Sequence, residues 1–260
     1  MPKLRTDSWT LQPKLNPDMR TTDFHYELPP ELIASRPLVD RESSRMMLVN
    51  RATSEISHHR FSDFPDLLPP DHLLVLNDTK VIPARLFSND GKVELVRTDA
   101  PDPNHWWCLV RPGKKMRDGR SVEVGKSIGT VIQTNHKGER LIKWDTPPDL
   151  EVHGHLALPH YMEREPDKSD RDRYQTVYAK EEGAIAAPTA GLHFTPELLS
   201  KLDHTFLTLH VGVGTFRPVK TDDPREHDMH SERYVLGQEA AGKIQTAKKI
   251  AAVGTTVTRV

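Results

Sequence analysis

The chain has 260 residues, enough for one large domain or two ordinary ones, which excludes a small scaffold held together by disulfides. Its 36 Lys and Arg residues and 37 Asp and Glu residues give a formal net charge of -1, so a nucleic acid would have to bind a local basic patch. Hydrophobic residues make up 36% of the chain and charged residues 28%, a polar composition that still supplies a core and argues against global disorder.

The cysteine content and the hydropathy pattern bear on the compartment. Cys108 is the single cysteine, so the chain can form neither an internal disulfide nor a thiolate zinc cluster. No apolar run is long enough to cross a bilayer, and the N-terminus lacks the apolar segment of a secretory signal. We therefore expect a cytoplasmic protein that has no membrane partner.

The first third of the chain predicts a tail followed by mixed secondary structure. Residues 1–18 are rich in proline and polar residues without a period, which predicts a flexible N-terminal tail. The runs RMMLVNR at 45–51 and HLLVLN at 72–77 have the length and flanks of buried strands, and the proline-broken segment between them predicts a short helix. The turn-forming residues at 77–79 predict a tight corner at the end of the second strand.

The middle of the chain has a different texture. Turn signals such as Asn89-Asp90-Gly91 and Lys137-Gly138 recur at nearly regular spacing, as in a small antiparallel barrel or sandwich. They separate short strand-like runs at 93–97, 105–111, 121–124, 129–134 and 140–145. Longer elements flank them, so we predict a mixed α/β domain (19–84 and 146–260) that carries an inserted small antiparallel β-barrel (85–145).

The last third returns to longer elements. Thr195 and Pro196 have the pattern of an N-cap followed by the first residue of a helix. Residues 206–211 predict a strand, 238–249 a helix and 251–253 another buried strand. Val260 follows that strand closely, so we expect the α/β domain to have a C-terminal part that this chain does not include.

Two segments rich in small residues are candidate ligand sites. In 187–195 the small residues allow a ligand to approach the backbone next to a helix start, although an ordinary loop with a core Phe194 and a hydrogen-bonded His193 is the simpler explanation from the residues alone. In 208–216 the two glycines after His210 lack the third glycine and following helix of a dinucleotide fingerprint.

Two groups of ionisable residues are further candidates. His227, His230 and Glu232 fit metal ligands or a proton-transfer group, and a hydrogen-bonded surface histidine pair is the simpler alternative. A barrel loop concentrates cations that either hold phosphates or simply face water: Arg111, Lys114, Lys115, Arg117 and Arg120. Trp106 and Trp107 alternate faces on a strand, so at most one of them can stack on a base.

The chain resembles the S-adenosylmethionine:tRNA ribosyltransferase-isomerase family of queuosine biosynthesis almost from end to end. The resemblance rests on several motifs that occur in order: YELPPELIASRPL, LLVLNDTKVIPARLF, LVRPGKK, RYQTVYA, AAPTAGLHFT, TLHVGVGTFRPV, HDMHSE and AVGTT. Family members usually continue well past the last motif. The family fold implied by the resemblance is an α/β domain with an inserted β-barrel.

The resemblance implies transfer of the ribosyl group of S-adenosylmethionine to 7-aminomethyl-7-deazaguanine at the tRNA wobble position. The group is isomerised to the epoxycyclopentanediol of epoxyqueuosine, and adenine and methionine are released. S-adenosylmethionine is then a substrate, and no metal or other cofactor is implied. Because the sulfonium acidifies the neighbouring 5′ C–H, the enzyme needs a positioned base, a dry pocket and a proton for the departing adenine.

On this hypothesis the candidate residues take three roles. The expected proton-transfer residues are His193, His210, His227, His230 and Glu232. The expected substrate-binding residues are Asn77, Asp78, Thr79, Arg85, Pro188, Thr189, Ala190, Gly191, Phe194, Gly212, Gly214, Thr215 and Phe216. The basic loop is expected to bind the anticodon stem of tRNA. We expect the protein to be a monomer. A non-catalytic RNA-binding module and a metal-dependent hydrolase built on His227, His230 and Glu232 remain the alternatives.

Overall fold

A computed structural model of the chain describes residues 18–216, 219–227, 229 and 231–260, so the predicted tail lies, apart from Asp18, outside the described residues. The α-helices are α1 (Phe64–Leu67), α2 (Leu150–His153), α3 (Asp170–Arg173), α4 (Pro196–Leu199), α5 (Gln238–Thr246) and α6 (Gly254–Arg259). The strands are β1 (Arg45–Asn50), β2 (Glu55–Arg60), β3 (His72–Asn77), β4 (Thr79–Val81), β5 (Arg85–Phe87), β6 (Glu94–Asp102), β7 (His105–Arg111), β8 (Ser121–Val124), β9 (Ser127–Thr134), β10 (Arg140–Trp144), β11 (Glu181–Ala184), β12 (His204–Leu209), β13 (Tyr234–Val235) and β14 (Lys249–Ala252).

Short 3-10 helices occupy several of the connections. They are Thr21–Phe24, Pro30–Leu32, Phe61–Asp63, Gly113–Lys115, His160–Met162, Thr189–Gly191, Val213–Phe216 and Pro224–Glu226. No helix in the described part of the chain has the length and hydropathy needed to cross a membrane.

Strands β5 to β10 form a six-stranded antiparallel sheet in the order β5-β6-β7-β10-β9-β8. Alternate side chains, such as Leu95, Trp106 and Ile142, fill its interior. The two edges approach each other, because the backbone N–H of Asn89, just after β5, donates to the carbonyl of Glu123 in β8 (2.9 Å). The sheet is thus a nearly closed barrel, as the regular turn spacing predicted.

The remaining core is built around β3. The sheet order is β13-β12-β3-β14, and β3 pairs in parallel with both β12 and β14. Leu73 and Val75 pack into one apolar cluster, whereas Leu74 and Leu76 pack into another, so both faces of β3 are covered. A second short parallel pair joins β11 to β4. The mixed α/β class with an antiparallel barrel is therefore confirmed.

One local expectation differs from the structure. Residues 45–50 do form a strand, but the prediction that it is buried is wrong, since Met47 and Val49 are more than half exposed. The strand pairs only with β2 in a two-stranded sheet, which has no second layer to bury a face. Residues 77–79 form the junction between β3 and β4, which belong to different sheets, and the side-chain oxygen of Asn77 accepts from the N–H of Thr79 there (3.2 Å).

Candidate active site at the barrel interface

A cleft of about 590 Å³ lies between the barrel and the α/β core. Its barrel wall is formed by residues 97–100 of β6, Trp107 of β7 and the turn between β9 and β10. Its α/β wall is formed by residues 182–183 of β11, His210, Gly212 and the segment 231–233. The cleft therefore joins residues that lie far apart in the sequence.

The parallel pairing of β3 with β12 positions residues of the α/β wall. The side chain of Asn77 at the end of β3 bonds both backbone groups of Leu209: its amide donates to the carbonyl, and its oxygen accepts from the N–H (2.9 Å each). Thr79, fully buried at the start of β4, then comes within 2.8 Å of Nδ1 of His210. Asn77 thus holds the backbone next to His210, and Thr79 contacts the imidazole ring itself.

His210 has the surroundings of a proton-transfer group. Burial, reinforced by the positive charge of Arg233, lowers the pKa of the imidazole below its ordinary value of 6.5 and keeps it neutral at physiological pH. The Thr79 hydroxyl lies 3.5 Å from the carbonyl of Glu181, so it can donate there while accepting from Nδ1–H. In that tautomer, with the proton on Nδ1, Nε2 of His210 is the basic nitrogen.

Gly183 makes room for this ring. A Cβ atom at position 183 would lie 2.8 Å from Nδ1 of His210, and its φ of +150° is one that other residues rarely adopt. The sequence analysis missed Gly183 and Arg233. The signal for Gly183 was a glycine inside a strand, which often marks close approach of another group to the backbone.

Glu232 lies between the cleft and a smaller pocket of about 240 Å³. Its carboxylate accepts from the backbone N–H of Gly212 (3.0 Å) and from Arg259 (2.5 Å). Gly214 and His227 line the smaller pocket rather than the cleft. Two of the predicted proton-transfer residues, His210 and Glu232, are therefore brought to the same cleft.

His193 lies in different surroundings. Its Nδ1 is 3.1 Å from the hydroxyl of Ser44, and its ring packs on Phe61. Phe194 is buried in the aromatic cluster around Phe61. These neighbours do not line the cleft, and burial lowers the pKa of His193. The surroundings match the alternative of a packed, hydrogen-bonded histidine.

The other residues of the 187–195 segment also lie away from the cleft. Pro188 is buried, and Thr189 and Ala190 are exposed in the 3-10 turn that Gly191 completes. A Cβ atom at Gly191 would lie 2.1 Å from the hydroxyl of Tyr178. The glycine is therefore needed for close packing of this turn.

Two predicted substrate residues from the first half of the chain make structural contacts. Asp78 accepts a hydrogen bond from the Thr208 hydroxyl (2.6 Å), and burial raises the pKa of its carboxyl group. Arg85 lines a separate pocket of about 460 Å³, where it pairs with Glu94 (2.7 Å) and Glu165 (3.1 Å). Both side chains are thus already engaged outside the cleft.

The predicted tRNA-binding cations all lie on the barrel surface. Each of the five is exposed, and none of them forms an ion pair with another described residue: Arg111, Lys114, Lys115, Arg117 and Arg120. Arg140 links this basic loop to the turn that lines the cleft, since its guanidinium donates to the carbonyls of Gly113 (3.0 Å), Met116 (2.9 Å) and Gly138.

The remaining candidates are only partly described. His230 lies outside the described residues, and Thr215 and Phe216 belong to the 3-10 helix Val213–Phe216. Among the residues that the structure describes, no three His, Cys, Asp or Glu side chains converge as metal ligands would.

Comparison with known proteins defines the class to which this barrel-bearing α/β chain belongs. The profile of the family "Queuosine biosynthesis protein" matches residues 21–260. A protein of Clostridioides difficile named S-adenosylmethionine:tRNA ribosyltransferase-isomerase is 45% identical over 260 residues, 93% of this chain and 76% of its own length. The protein of the same name from Thermosynechococcus vestitus is 45% identical over 267 residues, 94% of this chain and 74% of its own length.

A solved structure is also similar. It is described as S-adenosylmethionine tRNA ribosyltransferase from Thermotoga maritima, is 31% identical, and aligns with 91% of this chain and 71% of its own with a TM-score of 0.41. By the family match and the curated relatives, the chain belongs to the queuosine biosynthesis protein family. The resemblance predicted from the motifs is confirmed.

Proposed function

We propose that this chain transfers the ribosyl group of S-adenosylmethionine to 7-aminomethyl-7-deazaguanine at the wobble position of tRNA and isomerises it to the epoxycyclopentanediol of epoxyqueuosine. Adenine and methionine are the released products, and S-adenosylmethionine is a substrate. The family match and the names of the relatives support this reaction and give no support to a non-catalytic RNA-binding module or a metal-dependent hydrolase.

The position of the His210 imidazole in the cleft, with Nδ1 against the Thr79 hydroxyl, is the observation that carries the chemistry. Its Nε2 removes the proton from the carbon next to the sulfonium, and the hydroxyl of Thr79 holds the ring in place through Nδ1. The aminomethyl nitrogen bonds to C1′ of the ribosyl group as the bonds from C1′ to adenine and to the ring oxygen break, and adenine takes up the proton of the imidazolium. The deprotonated C5′ then bonds to C1′ to close the cyclopentane, and the ring oxygen bonds to C5′ as methionine leaves with the electron pair of the C5′–S bond.

Glu232 serves as a positioning residue in this proposal. Its carboxylate is tied to the backbone of Gly212 and to Arg259, so it fixes the segment that borders His210. His227 lines the smaller pocket beyond Glu232, where we assign it to substrate binding or to a second proton transfer.

The basic loop of the barrel is proposed to bind the anticodon stem. Its cations are exposed and free of ion pairs within the described chain, which suits phosphate contacts. Arg140 ties the loop to the turn at 135–139 that lines the cleft, so a stem held by the loop brings its anticodon to the cleft mouth.

One assay tests the proposal. The protein is incubated with S-adenosylmethionine and tRNA that carries the aminomethyl base, with and without chelator, and free adenine is measured. We expect adenine release that the chelator leaves unchanged. Metal-dependent chemistry predicts its loss on chelation, and a binding-only module predicts tRNA binding with no adenine at all.

A variant of His210 then tests the assignment of the base. His210→Asn should lower the rate of adenine release about 10²-fold, the usual cost of losing a general acid–base group. His204→Asn is the matched control, because His204 begins β12, the strand that ends just before His210, lies outside the cleft and bonds the carbonyl of Leu202. Equal rates for the two variants would remove His210 from the mechanism.

A further inference from the structure

The barrel wall of the cleft carries an aromatic side chain and a carboxylate side by side. Trp107 of β7 and Asp99 of β6 are directly opposed across the antiparallel ladder, and both line the cleft. Opposed residues on neighbouring strands project from the same face of a sheet, close enough for their side chains to act on one ligand.

We propose that Trp107 and Asp99 form the binding surface for the modified base, with the indole stacked on the 7-deazaguanine ring and the carboxylate bound to its aminomethyl ammonium group. The inference rests on the proposed function and names the residues that select the tRNA substrate within that site.

The two neighbouring tryptophans have different roles in the fold. Trp106 is only 4% exposed, packs 5.5 Å from the ring of Trp144 and donates its N–H to the carbonyl of Pro103 (2.9 Å). Trp107 points to the opposite face of the strand and is partly exposed in the cleft. The barrel core therefore accounts for Trp106 but not for a large aromatic surface at position 107.

Asp99 differs from the other carboxylates of the cleft. Glu182 pairs with Lys80 (2.9 Å), Glu232 pairs with Arg259, and Glu139 accepts from the amide of Asn135 (2.7 Å). The carboxylate of Asp99 accepts only from the backbone N–H of Ala100 (2.9 Å), and no described cationic side chain forms an ion pair with it. Arg97 interacts electrostatically with Asp99 but forms no ion pair with it, so a ligand ammonium group would give the carboxylate a direct ion-pair partner.

The nearby cations fit the rest of a nucleotide. Lys137 and Arg233 line the cleft, one on each wall. Positive groups around a stacking surface suit the phosphates on either side of an extruded base, as in other single-stranded nucleic acid sites. The cleft of about 590 Å³ is ample for such a base.

Binding of two tRNAs that differ only in the wobble base tests the assignment of Asp99. One tRNA carries 7-aminomethyl-7-deazaguanine and the other guanine, and dissociation constants are measured at one salt concentration without S-adenosylmethionine. Asp99→Asn should weaken binding of the modified tRNA about 10-fold and leave the guanine tRNA within about 2-fold, because only the modified base carries the cation. Asp102→Asn, in the same strand but outside the cleft, is the matched control and should preserve the wild-type preference.

Variants of Trp107 test the stacking surface. Trp107→Ala should weaken binding of both tRNAs about 10-fold, since every base has an aromatic face, and Trp107→Phe should restore most of the affinity. Unfolding midpoints of all variants, measured in parallel, identify any that are simply misfolded. An unchanged preference in Asp99→Asn, or equal affinities for the two tRNAs in the wild type, overturns the assignment of Asp99; full affinity in Trp107→Ala overturns that of Trp107.

The wild-type protein separates this inference from the proposed function. If it releases adenine but Asp99→Asn keeps the preference for the modified base, the inference about Asp99 fails and the reaction stands. If it prefers the modified tRNA through Asp99 but releases no adenine, the base-binding surface stands and the proposed reaction fails.

Discussion

Replacing Gly183 with alanine should disable the site by displacing His210. The new Cβ atom would lie 2.8 Å from Nδ1, 2.9 Å from Cε1 and 3.0 Å from Cγ of the imidazole. The ring has to withdraw by about 0.7 Å to reach ordinary van der Waals separation. Nδ1 is also the atom that contacts Thr79 at 2.8 Å, so the withdrawal breaks the contact that orients the ring.

The expected cost divides between turnover and stability. A misplacement of about 1 Å in a reacting group lowers turnover by roughly 10²-fold, which we expect for the rate of adenine release at saturating substrates. The backbone at position 183 has a φ of +150°, and alanine there should also cost about 1–3 kcal/mol of unfolding free energy.

Gly91→Ala provides the matched control. Gly91 has a φ of +68°, but a Cβ atom added there meets nothing within 4 Å. This variant should therefore lose about 1 kcal/mol of stability through backbone strain and keep the wild-type rate. If Gly183→Ala also turned over within about 2-fold of wild type, the position of His210 would not govern the reaction and the reasoning would be refuted.

Three further predictions concern the same site and the basic loop. Thr79→Val keeps the side-chain shape but removes the hydroxyl that contacts His210, so the rate of adenine release should fall about 10-fold. Thr79→Ser should restore the rate. Equal rates for Thr79→Val and the wild type would show that the contact has no orienting role. Burial and the charge of Arg233 lower the pKa of His210, so the acid limb of the pH profile of kcat/KM should lie below pH 6.5. Arg233→Gln should move that limb to higher pH. A limb that moves to lower pH contradicts the assignment of His210 as the base. Replacing Arg111, Lys114 and Arg117 with glutamine should weaken tRNA binding and reduce the slope of log affinity against log salt by a little under one for each phosphate that the loop no longer neutralises, whereas an unchanged slope removes the loop from the interface.

The barrel was predictable because each strand buries one face only. In β8, Val122 and Val124 are buried while Ser121 and Glu123 are exposed. This alternation of apolar and polar residues is visible in the sequence. Strand order was not predictable in the same way. β10 lies between β7 and β9, a choice that depends on closure of the whole sheet rather than on any local pattern.

Burial of the first strand could not be predicted from its composition. The run RMMLVN has the apolar content of a core strand, but whether it is covered depends on which layer lies against it. The strand β3, with similar composition, is covered on both faces by apolar clusters. Sequence patterns thus identified both strands and did not distinguish their environments.

Site residues with reactive side chains were predictable from the sequence, whereas the role of the small residues was not. His210 and Glu232 were named from their motifs, and both line the cleft. The small residues at 188–191 suggested a ligand cradle, but Gly191 is required by the hydroxyl of Tyr178. Glycines that admit a ligand and glycines that admit a neighbouring side chain have the same sequence signal.

An apolar cluster and an ion pair, Arg85–Glu165 (3.1 Å), both join the barrel to the part of the chain that carries His210. The chain leaves β4 at Val81 and enters the barrel at Arg85, and the connecting residue Ala84 is fully buried. Ala84 packs in one cluster with Ile185 and Val213, both of which line the cleft.

This packing has a consequence for the salt dependence of tRNA binding. Among the described residues that line the cleft, no ion pair joins the barrel wall to the α/β wall. Apolar contacts are not screened by salt, and the Arg85–Glu165 ion pair that also joins the barrel to the α/β domain contributes little because its carboxylate is exposed. The spacing between Trp107 and His210 should therefore stay constant as ionic strength rises. A change in the salt slope of tRNA binding therefore reports the phosphate contacts themselves and not a cleft that opens or closes.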